Sequence, residues 1–373
     1  MIDPIKILQR AWQILWNYRA LWVFGLILAL AVGGSAGNGG NNNGVQWRED
    51  NHSYQGPSYD SPQEFFSDAG REMQKLFKEG IPEADIPGED IPSFLWTIAG
   101  FIAFMFLVGI IVSIAYYVSV TAVIRMVDEY ENTGAKLTWR EGWRIGWSRT
   151  AWRVFLINLI VNLPWILFFL ALLGTGISIF VAFVNDNLNF MPVTFVVMVV
   201  LLFLSIFAVV ILSFILSLLR PFFWRVAVLE DAGVNESLRR GLAMARENWK
   251  NAGLMWLVMI GLGIVWIPVS IIAAIVTLPV VIITGGIAAL VAAIPGLLLV
   301  GLFSTFLAGP LPWIAAGLFV LPLFFVIAFS PWLLLGSWQQ VFTSTAWTLT
   351  YREIKALPAL TPTIVDDLEP VGD

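Results

Sequence analysis

Cysteine is absent from this chain of 373 residues, and histidine occurs once, as His52. Without cysteine the chain forms no disulfide, offers no thiolate nucleophile and holds no metal through sulfur. One histidine in a linker-like stretch supplies neither a metal-ligand cluster nor a paired general base. Charge is scarce as well, with 13% Asp, Glu, Lys and Arg against 58% hydrophobic residues. That balance removes the soluble classes and leaves the lipid bilayer as the main solvent. Strict polar and apolar alternation is missing, which excludes a membrane β-barrel, and no Gly-rich loop follows a strand to cradle phosphate. No catalytic residue, metal ligand or cofactor is expected, and the chain reads as a non-enzyme.

What is present is long uncharged sequence. Residues 251–351 contain no Asp, Glu, Lys, Arg or His over 101 positions, whereas one spanning helix needs only about 20 apolar residues. Further uncharged windows run over 20–34, 94–124, 154–185 and 187–219. In hydrocarbon the backbone must satisfy its own hydrogen bonds, so these windows are helices. The fold class is an all-α polytopic bundle of about six spans.

Seventeen of the 21 Lys and Arg fall in 1–19, 125–153, 220–250 and 352–355, while 35–93 holds four against eleven acids. The positive-inside rule then puts both termini on the cytoplasmic side of the membrane and 35–93 outside. Because both flanks of the longest window are basic, it should cross an even number of times. Spans at about 252–278 and 311–338 meet this condition, with 279–309 as a re-entrant or surface hairpin; a seventh span is the alternative. The first run ends in "ALAVGGSAG", whose small residues resemble a signal-peptidase site.

Three basic segments open on helix-start signals: Asp3-Pro4, Thr138 three residues before Glu141, and Asn235. Each ends in an aromatic and a cation, Tyr18-Arg19, Trp152-Arg153 and Trp249-Lys250, followed by an uncharged run. The returning spans leave through "TAVIRMVDEY", "RVAVLEDAGV" and "STAWTLTYRE", aligned on Ala122, Ala227 and Ala346. This pattern predicts one membrane domain, 1–357, made of three units, 1–133, 134–233 and 234–357. An acidic cytoplasmic tail follows at 358–373. The insertion at 35–93 divides into a linker, 33–60, too polar to fold, and an amphipathic helix, 61–79, with Ser61 as cap and Phe65, Phe66, Ala69, Met73, Leu76 and Phe77 on one stripe.

Trp or Tyr directly followed by Lys or Arg occurs eight times, against roughly 1.4 by chance placement. Apart from Trp47-Arg48, all lie on the predicted cytoplasmic side: Tyr18-Arg19, Trp139-Arg140, Trp143-Arg144, Trp152-Arg153, Trp224-Arg225, Trp249-Lys250 and Tyr351-Arg352. An indole or phenol prefers the headgroup level while a neighbouring cation reaches lipid phosphate. These fourteen residues are therefore expected to be membrane-interface anchors. Ile5, Leu8, Trp12, Leu15 and Trp16 form the apolar face of the first entry helix, and Trp139, Trp143 and Trp147 a ridge on the second. An alternative gives Arg140, Arg144, Arg149, Arg239, Arg240 and Arg246 to a phosphorylated ligand.

The candidate intramembrane polar site is Asn158 and Asn162, one turn apart ahead of Pro164. They would either line a solute path or bond neighbouring helices. Each large basic loop carries six cations but also four acids, which argues against nucleic acid as a partner. The expected partners are membrane lipid and a protein met through helix 61–79.

The stretches "ILQRAWQILWNYRALWVFG", "AVLEDAGVNESLRRGLAMARENW" and "STAWTLTYREIK" resemble the multi-pass prokaryotic membrane domain found fused to some glycerophosphodiester phosphodiesterases and also as stand-alone membrane proteins. The resemblance covers about 1–34 and 94–356. It implies a helical membrane domain in a prokaryotic inner membrane and a lipid context. It does not imply hydrolysis, because the catalytic barrel of the fused enzymes, rich in His, Glu and Asp, has no counterpart here. Three roles follow as expectations: a scaffold that organises lipid or partner proteins, a permease for a neutral or amphiphilic solute, or an accessory to membrane lipid metabolism.

Overall fold

The computed structural model describes residues 2–31, 91–184 and 192–357. Residues 35–90 of the insertion 35–93, with the expected helix 61–79, Trp47-Arg48 and His52, lie outside them, as do residues 185–191 and the tail 358–373. All regular structure among the described residues is helical: α1 Pro4–Asn17, α2 Ala20–Ala31, α3 Ile91–Thr133, α4 Trp139–Gly146, α5 Arg149–Val184, α6 Pro192–Leu229, α7 Val234–Glu247, α8 Trp249–Phe303, α9 Leu311–Ala328 and α10 Ser330–Ala356. Five of these are long and apolar enough to cross a membrane, or six if the bent pair α1 and α2 counts as one span.

The local helix signals act largely as the sequence implies. Asp3 accepts from the backbone N–H of Ile5 and Lys6 at 3.1 and 3.3 Å, with Pro4 at the first position. Thr138 and Glu141 close a full capping box, Glu141 Oε2 accepting from the Thr138 N–H at 2.8 Å. Asn235 is the exception. α7 begins at Val234 with Gly233 as its cap residue, so Asn235 sits inside the first turn.

Two expectations for the long apolar window are corrected. The stretch 279–309 is not a separate hairpin, since α8 runs unbroken through Pro279, Gly285, Gly286 and Pro295 to Phe303 over 55 residues. Where no water competes for backbone groups, Gly and Pro do not end a helix as they do in a soluble protein. The expected span 311–338 is divided at Phe329 into α9 and α10.

The chain forms two compact units. The first comprises Met1–Gly40, Gly109–Thr284 and Phe329–Asp373. Within it the last helix returns to the first, α10 packing along α2 and α1, while α5 packs on α6 and α7 on α6. Close approach of α2 and α10 depends on Gly25, where a Cβ would meet the Ser337 Oγ at 2.5 Å and its backbone oxygen at 2.7 Å. The Ser337 hydroxyl donates to the Trp22 carbonyl at 3.0 Å across the same contact. Ala122, Ala227 and Ala346, on α3, α6 and α10, are all fully buried in this unit's core.

The second unit comprises Asn41–Val108 and Gly285–Ala328. Its core gathers Phe303, Leu307, Leu311, Ala315 and Ala316, and Phe319 packs its ring edge or face on Phe101, Phe104 and Phe303. Outside the cores the long helices present Leu, Ile, Val and Phe. Phe203, Leu257, Ile275 and Val276 are each more than half exposed. That surface suits lipid tails and would be costly in water.

Candidate functional site

In the first unit, charged side chains tie the ends of α3, α6 and α10 into a closed triangle. Arg352 on α10 pairs with Asp128 on α3 and donates to Asn132 Oδ1 at 2.7 Å. From α10 as well, Tyr351 donates its hydroxyl to Glu230, at the end of α6, at 2.6 Å, and Lys355 reaches the same oxygen at 2.8 Å. The third side runs from Arg125 on α3 to Asp231 at 3.9 Å and to the Val228 carbonyl at 3.5 Å.

The short entry helices and the start of α5 brace the triangle from outside. Arg10 of α1 pairs with Glu131 at 2.8 Å, Arg153 of α5 with Asp231 at 3.1 Å, and Arg240 of α7 with Glu230 at 3.1 Å. Asp231 holds a left-handed φ of 51°, which lets its carbonyl accept from Arg153 at 2.6 Å while its carboxylate accepts from Thr150 at 3.1 Å. Burial alone would raise the Glu230 carboxyl. The hydrogen bonds from Lys355, Tyr351 and Arg240 outweigh it and hold the group below its ordinary value. Burial, and then the bond to Glu230, push the Tyr351 phenol far up. The pair is thus held as phenol and carboxylate.

The fourteen aromatic and basic residues separate into two groups. Arg19, Trp139, Arg140, Arg144, Trp152, Trp249 and Lys250 are exposed. Trp139, Trp152 and Trp249 stand out at 51, 63 and 67%, and Arg140 and Lys250 lie over the rings of Trp139 and Trp249. The other seven are spent inside the protein. Tyr18 is buried and donates to the Leu137 carbonyl at 3.0 Å. Arg225 is buried and donates to the carbonyls of Pro221 and Ser344 at 2.8 Å each. Trp143 stacks on Phe24, Trp224 lies beneath Arg220, and Arg153, Tyr351 and Arg352 belong to the charge triangle. An arginine or tyrosine faces lipid or protein according to which helix lies beside it, and that is not a local property.

The entry face of α1 divides likewise. Ile7, Ala11, Ile14 and Leu15 are buried, Ile5 is 67% exposed, and Trp12 and Trp16 form an outer aromatic cluster with Trp22, Trp338 and Phe342. The chain turns by 102° between α1 and α2, and the two residues at the turn are Tyr18 and Arg19.

Asn158 and Asn162 lie on α5 in one chain of hydrogen bonds. Asn158 Nδ2 donates to the Tyr117 hydroxyl of α3 at 2.7 Å, and Asn162 Nδ2 donates to the Asn158 carbonyl at 2.8 Å. Arg220 of α6 donates to Asn162 Oδ1 at 3.3 Å. Sequence reasoning placed Arg220 in a basic loop, whereas α6 carries it well inside its helical length. Arg125 was passed over as well, although it stands three residues after Ala122 as Glu230 stands three after Ala227. A separate small cleft of about 190 Å³ between α8 and α10 is lined by Trp266, Ser270, Ala273, Trp332 and Leu335. Trp332 closes one side by donating to Thr277 at 2.9 Å.

Apolar-faced long helices, capped short helices at one end and a polar frame joining them define an all-α, multi-pass membrane protein. Residues 8–346 match the model of a family of unknown function, DUF7544, and the chain belongs to that family. Neither the curated proteins nor the solved structures contain a match to it.

Proposed function

We propose that this protein is a non-enzymatic component of a prokaryotic cytoplasmic membrane, one that organises lipid and partner proteins around a fixed helical frame. The observation that carries the reading is the division of its aromatic and basic residues. Half are turned inward, most of them into ties between helices, and the exposed half, led by Trp139-Arg140, Trp152 and Trp249-Lys250, is left for headgroups. A frame braced at three corners is suited to hold a surface in place, and an amphipathic entry helix that turns sharply into an apolar one is suited to the interface. Its charged end and both termini face the cytoplasm in this reading, by the bias of Lys and Arg. The three entry-helix and hairpin units derive from duplication, and helix 61–79 is the contact for a protein partner. The resemblance to the domain fused to glycerophosphodiester phosphodiesterases favours one second reading, an accessory role in membrane lipid metabolism. As for a permease, the polar side chains of Asn158 and Asn162 already bond to Tyr117 and Arg220.

The test uses the full chain in vesicles containing lipids brominated near the headgroup. Quenching of tryptophan fluorescence should drop when Trp139, Trp152 and Trp249 are all changed to Phe, and deletion of 61–79 should abolish copurification of a partner. Solute flux driven by a gradient, or quenching unchanged in the triple variant, would overturn the reading.

A further inference from the structure

Arg220 lies nine residues before the end of α6 at Leu229, about 14 Å along the helix at 1.5 Å per residue. Its guanidinium has five N–H donors. Among the described residues it makes one hydrogen bond, to Asn162 Oδ1, and rests over the Trp224 ring at 5.9 Å. The enclosed Nε has no acceptor, and no described acid pairs with the group. An arginine at this depth is costly unless an anion meets it.

The surroundings are arranged as a receptor. Asn162 cannot turn away, because its amide nitrogen is fixed on the Asn158 carbonyl. The Tyr117 hydroxyl accepts from Asn158, so its own proton is left to donate, and Tyr116 and Tyr117 both lie within electrostatic reach of Arg220. Guanidinium nitrogens and a phenol proton, on helices α6 and α3, are complementary to the two free oxygens of a phosphate ester.

We infer that Arg220, Asn162, Asn158 and Tyr117 form an anion site that takes the phosphate ester of an anionic lipid headgroup. Its tail would lie along the apolar faces of α5 and α6. The site deepens the lipid-organising reading but does not depend on the exposed tryptophans, so the two fail separately.

The full chain is placed in phosphatidylcholine nanodiscs, and phosphatidylglycerol is titrated against a spin-labelled analogue. Wild-type protein should prefer phosphatidylglycerol, and Arg220→Gln should weaken that preference about tenfold, the loss of one strong ionic contact. Arg220→Lys should restore part of it, and Tyr117→Phe should lower it while leaving the cation in place. Glycerol 3-phosphate and inorganic phosphate are added as competitors. Failure to displace the lipid assigns the headgroup as source, whereas displacement keeps the anion site and assigns a soluble phosphate ester. Equal lipid preference in wild type, Arg220→Gln and Tyr117→Phe, with matched thermal midpoints, overturns the site. Should Arg220→Gln not fold, Tyr117→Phe and Arg220→Lys decide. Tryptophan quenching that persists while lipid preference is absent refutes this site and leaves the interfacial reading intact.

Discussion

Tyr351 and Glu230, 121 residues apart, share a hydrogen bond of 2.6 Å between the ends of α10 and α6. It is one side of a triangle whose other sides are Arg352 with Asp128 and Arg125 with Asp231. Three helices from distant parts of the chain are thereby held at one end, while apolar packing of Ala122, Ala227 and Ala346 holds them below it. Local helix formation needs none of these ties, but the arrangement of the helices does.

The pH dependence of stability follows from this pair. Glu230 is held below the ordinary 4.5 of its carboxyl, so its contribution is full above that value and is lost as pH falls through the depressed one. Tyr351 is raised above its ordinary 10.0, so its contribution is full below 10.0 and declines as pH rises beyond it. The thermal midpoint in nanodiscs should therefore be flat between these limits and fall on both sides. Glu230→Gln should flatten the acid side and Tyr351→Phe the alkaline side, the latter costing about 1 to 2 kcal/mol at neutral pH. An acid side unchanged in Glu230→Gln would show that the carboxyl is not depressed.

Arg225 gives a sharper contrast. It is 3% exposed, donates to two carbonyls, and keeps an Nε without a partner. Replacing a buried cation by an apolar side chain of similar reach is often neutral, whereas lysine keeps the charge and loses the planar fork. Arg225→Met should melt close to wild type, while Arg225→Lys should lose about 1 to 3 kcal/mol. The reverse order would mean that the charge itself is required.

Gly25 tests the return of the last helix onto the first. A Cβ there meets Ser337 Oγ and also the Ser337 backbone oxygen. Gly25→Val should cost about 3 kcal/mol or prevent assembly. Ser337→Ala added to Gly25→Ala should not restore stability, because the backbone oxygen remains at the same place. Full rescue by the double variant would show that α2 and α10 are not in this contact.

Apart from the Asn235 cap, signals contained within one turn of helix were legible in the sequence, and contacts between distant helices were not. The Asp3 cap and the Thr138–Glu141 box depend on residues two or three apart, and they form as the spacing implies. The helical membrane class follows from long uncharged runs. The stretch 279–309 is helical as far as Phe303, although its glycines and prolines imply a hairpin by rules suited to water. In sequence, Trp224-Arg225 and Tyr351-Arg352 look equivalent to Trp249-Lys250. The dipeptides are alike, but Arg225 and Tyr351 meet neighbouring helices while Trp249 is 67% exposed. The two asparagines were identified as candidates, yet their partner Arg220 was counted with a loop because helix length could not be read from charge alone.

Tyr18 and Arg19 occupy the 102° turn between α1 and α2, and the structure gives them different tasks. Tyr18 is 1% exposed, packs against the Tyr130 ring and bonds to the Leu137 carbonyl. Arg19 is exposed. If the turn is set by protein packing, Tyr18→Ala should cost about 3 to 5 kcal/mol, the range for removing a buried aromatic ring, and Tyr18→Phe about 1 kcal/mol for its hydrogen bond. Arg19→Glu should leave the thermal midpoint within about 0.5 kcal/mol of wild type, as expected for a surface change. Its effect should appear instead during insertion, as a fraction of chains in which a reporter placed in 35–93 fails to reach the external side. Loss of stability in Arg19→Glu with correct topology would assign the turn to Arg19, and a stable Tyr18→Ala would remove the packing account.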